Sequence, residues 1–471
     1  MANLPEALLT APMASVSTMN VETNVLDPII INQGFARFVL EKKGILDTGS
    51  AFTFSVHPVL ANNGNAFLPL KTGIHSLIKR AVLRIGSKIV AITDDYAHYQ
   101  TIRRQFKTPE EKSQKDMVKV GSTDVVCPGN VQEGKLQIRD VNYSTDTVST
   151  VIKEFKLKTD QTNTPVFSIK ISELFPMMRN VQLPLFLINE PCSIELTFNT
   201  QATGAGDLGK IACFNSAGGD TSITLGLKNV KFLADYLTYD DDRMNDTAKM
   251  VMSDQGMIVP YEDVVLTSTQ YPAGTAGQQQ HLVRDLGLSG MMVKSVLMSQ
   301  SKQDSNALLG IYKSEAYNIP DEYNIRVNDR QIYPRPVQSE SQKAYQLSQV
   351  FGTDIAVNNS EYSFDLATNK SDANNLQNNP MFCASTLEGN AMTSLEGCQH
   401  YIGMDFSISP QNVQNNGIMV GQKPIQVMHT LNRTAAGAGG ATGGNAVRDV
   451  RFFSLVERTM VLKGGQVMVS A

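Results

Sequence analysis

AVLRIGSKIVAITDDYAHYQTIRRQF, residues 81–106, and YNIRVNDRQIYPRPVQSESQKAYQLSQVF, residues 323–351, follow one plan. In the first, Ala81, Leu83 and Ile85 share one face of a strand, a Gly86-Ser87 turn follows, and the chain returns at Ile89–Ile92. The period of two is that of a half-buried strand. Asp94 or Asp95 then stands where a helix start needs a side-chain acceptor, and Tyr96, Tyr99 and Phe106 fall on one helical face. In the second, Tyr323, Ile325 and Val327 lead into an Asn328-Asp329 turn and a return at Gln331–Tyr333. Ser339 with Gln342 makes a capping box ahead of a helix carrying Ala344, Leu347 and Phe351. Phe106 and Phe351 stand 245 positions apart, and Arg84 and Arg326 stand 242 apart, in a chain of 471 residues. A repeat at about half the chain length means two copies of one domain, not a solenoid of many short units.

The rest of the chain reads as strands separated by polar connections. Phe52, Phe54 and Val56 alternate with Thr53, Ser55 and His57; Ile194, Leu196 and Phe198 alternate with Glu195, Thr197 and Asn199. Ile402, Met404, Phe406 and Ile408 do the same. Near the C-terminus, Met460–Leu462 and Val467–Val469 flank Lys463-Gly464-Gly465-Gln466, and the glycine pair supplies the positive φ of a tight hairpin. Stretches rich in Gly, Asn, Ser and Thr at roughly 107–150, 201–224, 356–400 and 432–447 suit a sandwich with elaborated loops. Leu227–Tyr239 reads as a closing strand, and Asp240-Asp241-Asp242-Arg243 breaks it before a short helical linker through Ala248 and Met252. The expected division is an N-terminal arm at 1–28, a first sandwich at 29–240, a linker at 241–258 and a second sandwich at 259–471.

Composition excludes several classes. Lys+Arg total 41 against 45 Asp+Glu, a formal net charge of -4, and residues 1–36 carry no Lys or Arg. No basic tail or clustered basic face for gripping a genome is expected, and no direct sequence-specific nucleic acid binding. Five cysteines without close spacing (127, 192, 213, 383 and 398) read as small hydrophobes in a reducing compartment. The start MANLPEALLTAPMASVSTMN lacks a positive n-region and a long apolar core, so no signal peptide is expected. The most apolar stretch, Val181–Ile188, is too short and Pro-broken for a membrane span.

Four stretches together resemble the double jelly-roll major capsid proteins of double-stranded DNA viruses, of the polinton-like virus, virophage and large algal virus type. TGIHSLIKRAVLRIGSKIVAITDDYAHYQTIRRQF (72–106) looks like the family's hairpin and following helix. ISELFPMMRNVQLPLFLINEPCSIELTF (171–198) looks like its short helix, Pro-interrupted apolar strand and central strand. LKNVKFLADYLTYDDDRMNDTAKM (227–250) resembles its closing strand and linker, and VRFFSLVERTMVLKGGQVMVSA (450–471) its terminal strand pair. The resemblance implies an all-β chain of two tandem eight-stranded jelly-roll β-sandwiches, with short helices and long loops. It further implies a homotrimer presenting six sandwiches as a pseudo-hexagonal capsomer, whose partners are neighbouring capsomers and minor capsid or penton proteins. The chain would reside in the virion after folding in the host cytoplasm or nucleus, and would be no enzyme, with no catalytic, cofactor-binding or metal residues.

Several motifs invite other chemistry. Ile45-Leu46-Asp47-Thr48-Gly49-Ser50 matches an aspartic-peptidase signature, but that chemistry needs a second carboxylate sharing the proton, and no second Asp-Thr/Ser-Gly copy occurs. A turn ahead of the strand at Phe52, with Asp47 bonding its own backbone, is the expected role. Gly204–Lys210 has dinucleotide-binding spacing without the helix that must follow it, and GAGGATGG at 437–444 lacks the Lys-Ser/Thr of a phosphate loop. Asp240–Asp242 lacks a Gly-spaced calcium loop, the six histidines (57, 75, 98, 281, 400, 429) lack metal-ligand spacing, and Cys398-Gln399-His400 has no third group upstream. The basic residues Lys79, Arg80, Arg84, Arg103 and Arg104 are too sparse for a genome and fit acidic loops of a neighbouring subunit. The competing class is a carbohydrate-binding or carbohydrate-active β-sandwich of a virion spike; zero Trp and 7% aromatics speak against its stacking platforms. Met, at 20, suits adaptable interfaces.

Overall fold

The computed structural model describes residues 20–61, 66–69, 72–105, 107, 116–121, 135–136, 166–202, 214–215, 223–272, 279–302, 322–351, 402–407, 416–432 and 447–470. In the first half, the principal strands are β1 (Asn20–Leu26), β2 (Phe35–Val39), β3 (Ala51–Ala61), β4 (Ile78–Ile85), β5 (Lys88–Asp94), β6 (Val166–Lys170), β7 (Cys192–Phe198) and β8 (Ile223–Thr238). They pair into two antiparallel sheets, one ordered β1-β8-β3-β6 and the other β2-β7-β4-β5. In the second half, β9 (Met257–Tyr271), β10 (Gln279–Asp285), β11 (Met292–Lys302), β12 (Glu322–Val327), β13 (Arg330–Gln331), β14 (Ile402–Asp405), β15 (Gln426–Asn432) and β16 (Arg448–Lys463) repeat that order. Their sheets run β9-β16-β11-β14 and β10-β15-β12-β13, with β17 (Gln466–Ser470) added along β16. Each half is therefore a jelly roll, and the repeat is one of topology as well as of pattern.

The alternation noted in the sequence faces inward. Phe52, Phe54 and Val56 of β3 are fully buried, as are Ile194 and Leu196 of β7. Phe52 stacks on Phe232 of β8 at 4.4 Å and meets Phe38 of the opposite sheet edge-on at 5.2 Å. Buried aromatic pairs of this kind contribute about 0.5–1.5 kcal/mol beyond their area. In the second roll Phe452, Val296, Met404, Ile325 and Val427 fill the equivalent space, with Ile408 outside the described residues.

The turns follow from their residues. Gly86 lies at φ 60°, and Asn328 and Asp329 lie at 49° and 65°, the left-handed pair a two-residue hairpin demands. Gly464 and Gly465, at 58° and 80°, close the terminal hairpin between Lys463 and Gln466. Helix α1 (Tyr96–Gln105) follows β5, α2 (Asp241–Met252) joins the rolls, and α3 (Glu340–Phe351) follows β13 by way of an irregular segment. The capping box is reciprocal: the Gln342 N–H donates to Ser339 Oγ at 3.2 Å, and the Ser339 N–H to Gln342 Oε1 at 3.5 Å.

Three details differ from the expectations. The stretch expected as an arm carries β1 from Asn20, and the expected linker carries the start of β9 at Met257. The Pro-interrupted strand is instead an isolated bridge at Leu183 followed by a 3-10 turn at Leu185–Leu187, because Pro184 has no N–H to continue a ladder. Tyr96 and Tyr99 of α1 serve different clusters: Tyr96 joins the first roll's core and Tyr99 meets the second roll. The helix lies between the rolls and is buried on both flanks; Phe106 falls outside the described residues.

Candidate assembly interface

The functional surface of this fold is its sheet faces and edges, and one such surface is already closed within the chain. Val264 of β9, Phe453 of β16 and Leu297 of β11 form an apolar patch on the outer face of the second roll, away from its own core. Tyr99 and Ile102 of α1 cover it together with Leu347 of α3, and all six side chains are buried. Tyr99 packs on Phe453 with ring centroids 5.6 Å apart. Gly403 of β14 lets α3 approach closely, since a Cβ there would meet Leu347 Cα at 2.9 Å.

Polar contacts rim this patch. Arg451 of β16 donates to Asp95, at the start of α1, at 2.5 Å. Burial works to raise the Asp95 pKa, but His98 and Arg451 together hold it well below the usual carboxylate range. The Tyr261 hydroxyl donates to the Val90 carbonyl at 2.7 Å, Lys88 Nζ to the Val467 carbonyl at 2.5 Å, and the Asn189 N–H to the Gly465 carbonyl at 2.9 Å. Met460, Leu462 and Val467 of the second roll are continuous with the first roll's core. Asp263 of β9 is fully buried in the same seam, with Arg458 Nη1 3.0 Å from its carboxylate and Asp94 of β5 nearby. Desolvation pushes its pKa up to about 6 despite Arg458.

A second repeat, overlooked in the sequence reading, explains this geometry: NVKFL at 229–233 on β8 matches DVRFF at 449–453 on β16. Phe232 and Phe452 point into their cores, which puts Leu233 and Phe453, and Lys231 and Arg451, on the outer faces. The signal was legible as a basic-aromatic-apolar triplet recurring 220 residues later.

The motifs that suggested other chemistry take structural roles. Asp47 Oδ2 accepts the Gly49 N–H at 3.1 Å, its other oxygen accepts Gln182 at 3.0 Å, and its carbonyl accepts Ser50 Oγ at 2.9 Å. This is an Asx-type turn. Asp47→Asn keeps the acceptor oxygen, so folding and assembly are expected to persist, read by circular dichroism and light scattering; loss of a peptide-cleaving activity on that change would restore the peptidase reading. His75 is buried against the Tyr96 hydroxyl at 2.9 Å, and burial lowers its pKa to about 4; buried His429 contacts Tyr271 and is lowered to about 3. His98 meets Asp95, and His281 meets Thr430. Buried Cys192 has its thiol pushed up to about 12. Asp240 precedes α2 and Asp241 and Asp242 open it. Among the described residues, no group of three or more His, Cys, Asp or Glu converges for a metal, and no helix is long and apolar enough to cross a membrane. Gly204–Lys210, 437–444, Cys398-Gln399-His400 and the other four cysteines lie outside the described residues. Of the basic residues assigned to a neighbour's loops, Arg80, Arg84 and Arg104 instead meet Asp94, Glu195 and Asp116 of their own chain. A run of basic residues on paired strands finds cross-strand acids first.

No family model matches this sequence, and no curated protein matches it. In structure the chain is similar to a chain of the PBCV-1 virus capsid quasi-atomic model, with a TM-score of 0.58 and 11% identity over 98% of this chain and 99% of that one. It is also similar to a chain of the Sputnik virophage structure by cryo-EM (TM-score 0.55, 12% identity, 96% and 88% covered). A third likeness is to the Faustovirus major capsid protein (TM-score 0.52, 9% identity, 95% and 91% covered). These matches run through both rolls and the seam between them. The chain has the double jelly-roll fold.

Proposed function

We propose that this chain is a major capsid protein that self-assembles as a homotrimer of pseudo-hexagonal outline and tiles an icosahedral shell. The observation that carries the reading is the pair of rolls of identical strand order joined through one broad apolar seam. Three such chains supply six similar sandwiches, so a closed threefold oligomer fills a sixfold position. The capsid structures with the same fold support it. In this reading the division at 241–258 separates two assembly modules, minor capsid or penton proteins are further partners, the virion is its location, and no catalytic, cofactor or metal residue is assigned. Purified protein examined by light scattering and negative-stain microscopy is expected to give particles of three chains with hexagonal outline, or shells. A monomer at every salt and protein concentration tested would overturn the reading.

A further inference from the structure

The outer face of the first roll is the counterpart of the patch that α1 covers on the second roll, and it is open. Val25 of β1 pairs with Leu233 of β8, which pairs in turn with Ala51 of β3. In the second roll Leu266, Phe453 and Leu297 make the same three-strand row. There Phe453 and Leu297 are fully buried; here Val21 and Val25 are 49% and 53% exposed. Lys231 occupies the place of Arg451 but meets only the exposed Asp27, at 4.0 Å, where Arg451 takes Asp95 from across the seam. A first roll thus offers a receptor surface that its own chain does not fill.

The second roll carries a matching end. Its β13 edge is exposed at Arg330 and Gln331, and Tyr345 on α3 is 61% exposed, whereas Tyr99 on α1 lies under the second roll. Glu340 opens α3 much as Asp95 precedes α1, and it is the one carboxylate in the sequence from 332 to 351. We infer that the Val25–Leu233–Lys231 face takes the α3 end of a second copy of this chain, with Glu340 meeting Lys231 as Asp95 meets Arg451 within the chain. The contact is heterologous, head to tail, and closes into a ring when the step between rolls is the same inside and between chains. Burying the valines adds apolar area, and the ion pair fixes register more than it adds affinity. The inference rests on the capsid reading and names the surface through which the trimer forms.

The test uses the full chain in four forms beside the wild type: Val25→Glu, Lys231→Glu, Glu340→Lys, and the Lys231→Glu/Glu340→Lys double variant. Val25 and Lys231 are exposed enough for folding to persist, which circular dichroism checks. Analytical ultracentrifugation is expected to show at least tenfold weaker association for each single variant and recovery in the double variant. Val25→Glu or Lys231→Glu chains that associate like the wild type would overturn the face while leaving the capsid reading standing. A folded double variant that fails to recover would overturn the α3 end as its occupant. A wild type that never associates would overturn the capsid reading and this inference with it.

Discussion

Phe453→Ala is expected to destabilise the chain by about 3–5 kcal/mol, the range for truncating a fully buried aromatic side chain, and to split its thermal unfolding into two transitions. Phe453 sits on the outer face of β16, so its loss leaves the second roll's own core, built on Phe452, untouched. What it removes is the centre of the patch shared by Tyr99, Ile102, Val264, Leu297 and Leu347. The polar rim does not compensate, because the Asp95–Arg451 pair is partly solvated, and such pairs add little once the water-excluding centre is gone. Two rolls with separate cores then melt separately. Differential scanning calorimetry checks this; a single transition at the wild-type temperature would show that the seam contributes nothing. The Phe452→Ala variant serves as contrast, since it should lower the second roll's transition without uncoupling the first.

The doubled sandwich was legible because hairpins are local. Gly86-Ser87, Asn328-Asp329 and Gly464-Gly465 announce their turns through backbone geometry alone, and the Ser339–Gln342 box announces a helix start within four residues. The seam was less legible. Tyr99 and Phe453 lie 354 positions apart and look, in sequence, like ordinary core residues of a helix and a strand. A strand buried on both faces loses the clean alternation that marks an inner face, as RFFSLVE at 451–457 does. Only comparison of β8 with β16 shows which residues face outward, and a single sequence does not say that one outer face is covered and the other open. The arm failed for a related reason. Val21 and Val25 alternate with polar residues, but their apolar side faces away from the first core, so β1 carries no signature of burial within its own roll.

Asp263→Asn is expected to stabilise the chain at neutral pH and to flatten its stability between about pH 4 and pH 6. The carboxyl is fully buried at the seam, and desolvation outweighs Arg458 in setting its pKa, raising it from 3.8 to about 6. A raised carboxyl pKa means the folded state holds the proton more tightly than the unfolded chain. Below about pH 4 both states are protonated and the stabilising contribution is fully present. As pH rises through the window toward 6 the unfolded chain releases its proton first, and the contribution is lost. Above 6 the folded chain carries a buried charge. The gap between 3.8 and about 6 corresponds to about 3 kcal/mol at most. Part of it is offset in the variant, because Arg458, whose side chain is 16% exposed, loses its partner. A net gain of about 1–3 kcal/mol at pH 7.5, vanishing below pH 4, is therefore expected from denaturant unfolding across pH. The same group sits between β5 of one roll and β16 of the other, so wild-type chains should hold their seam more tightly at pH 5 than at pH 7.5, and the variant should hold it equally at both. A variant that is less stable than wild type at pH 7.5, with the pH slope unchanged, would show that the Arg458 pairing outweighs desolvation and that Asp263 remains charged throughout.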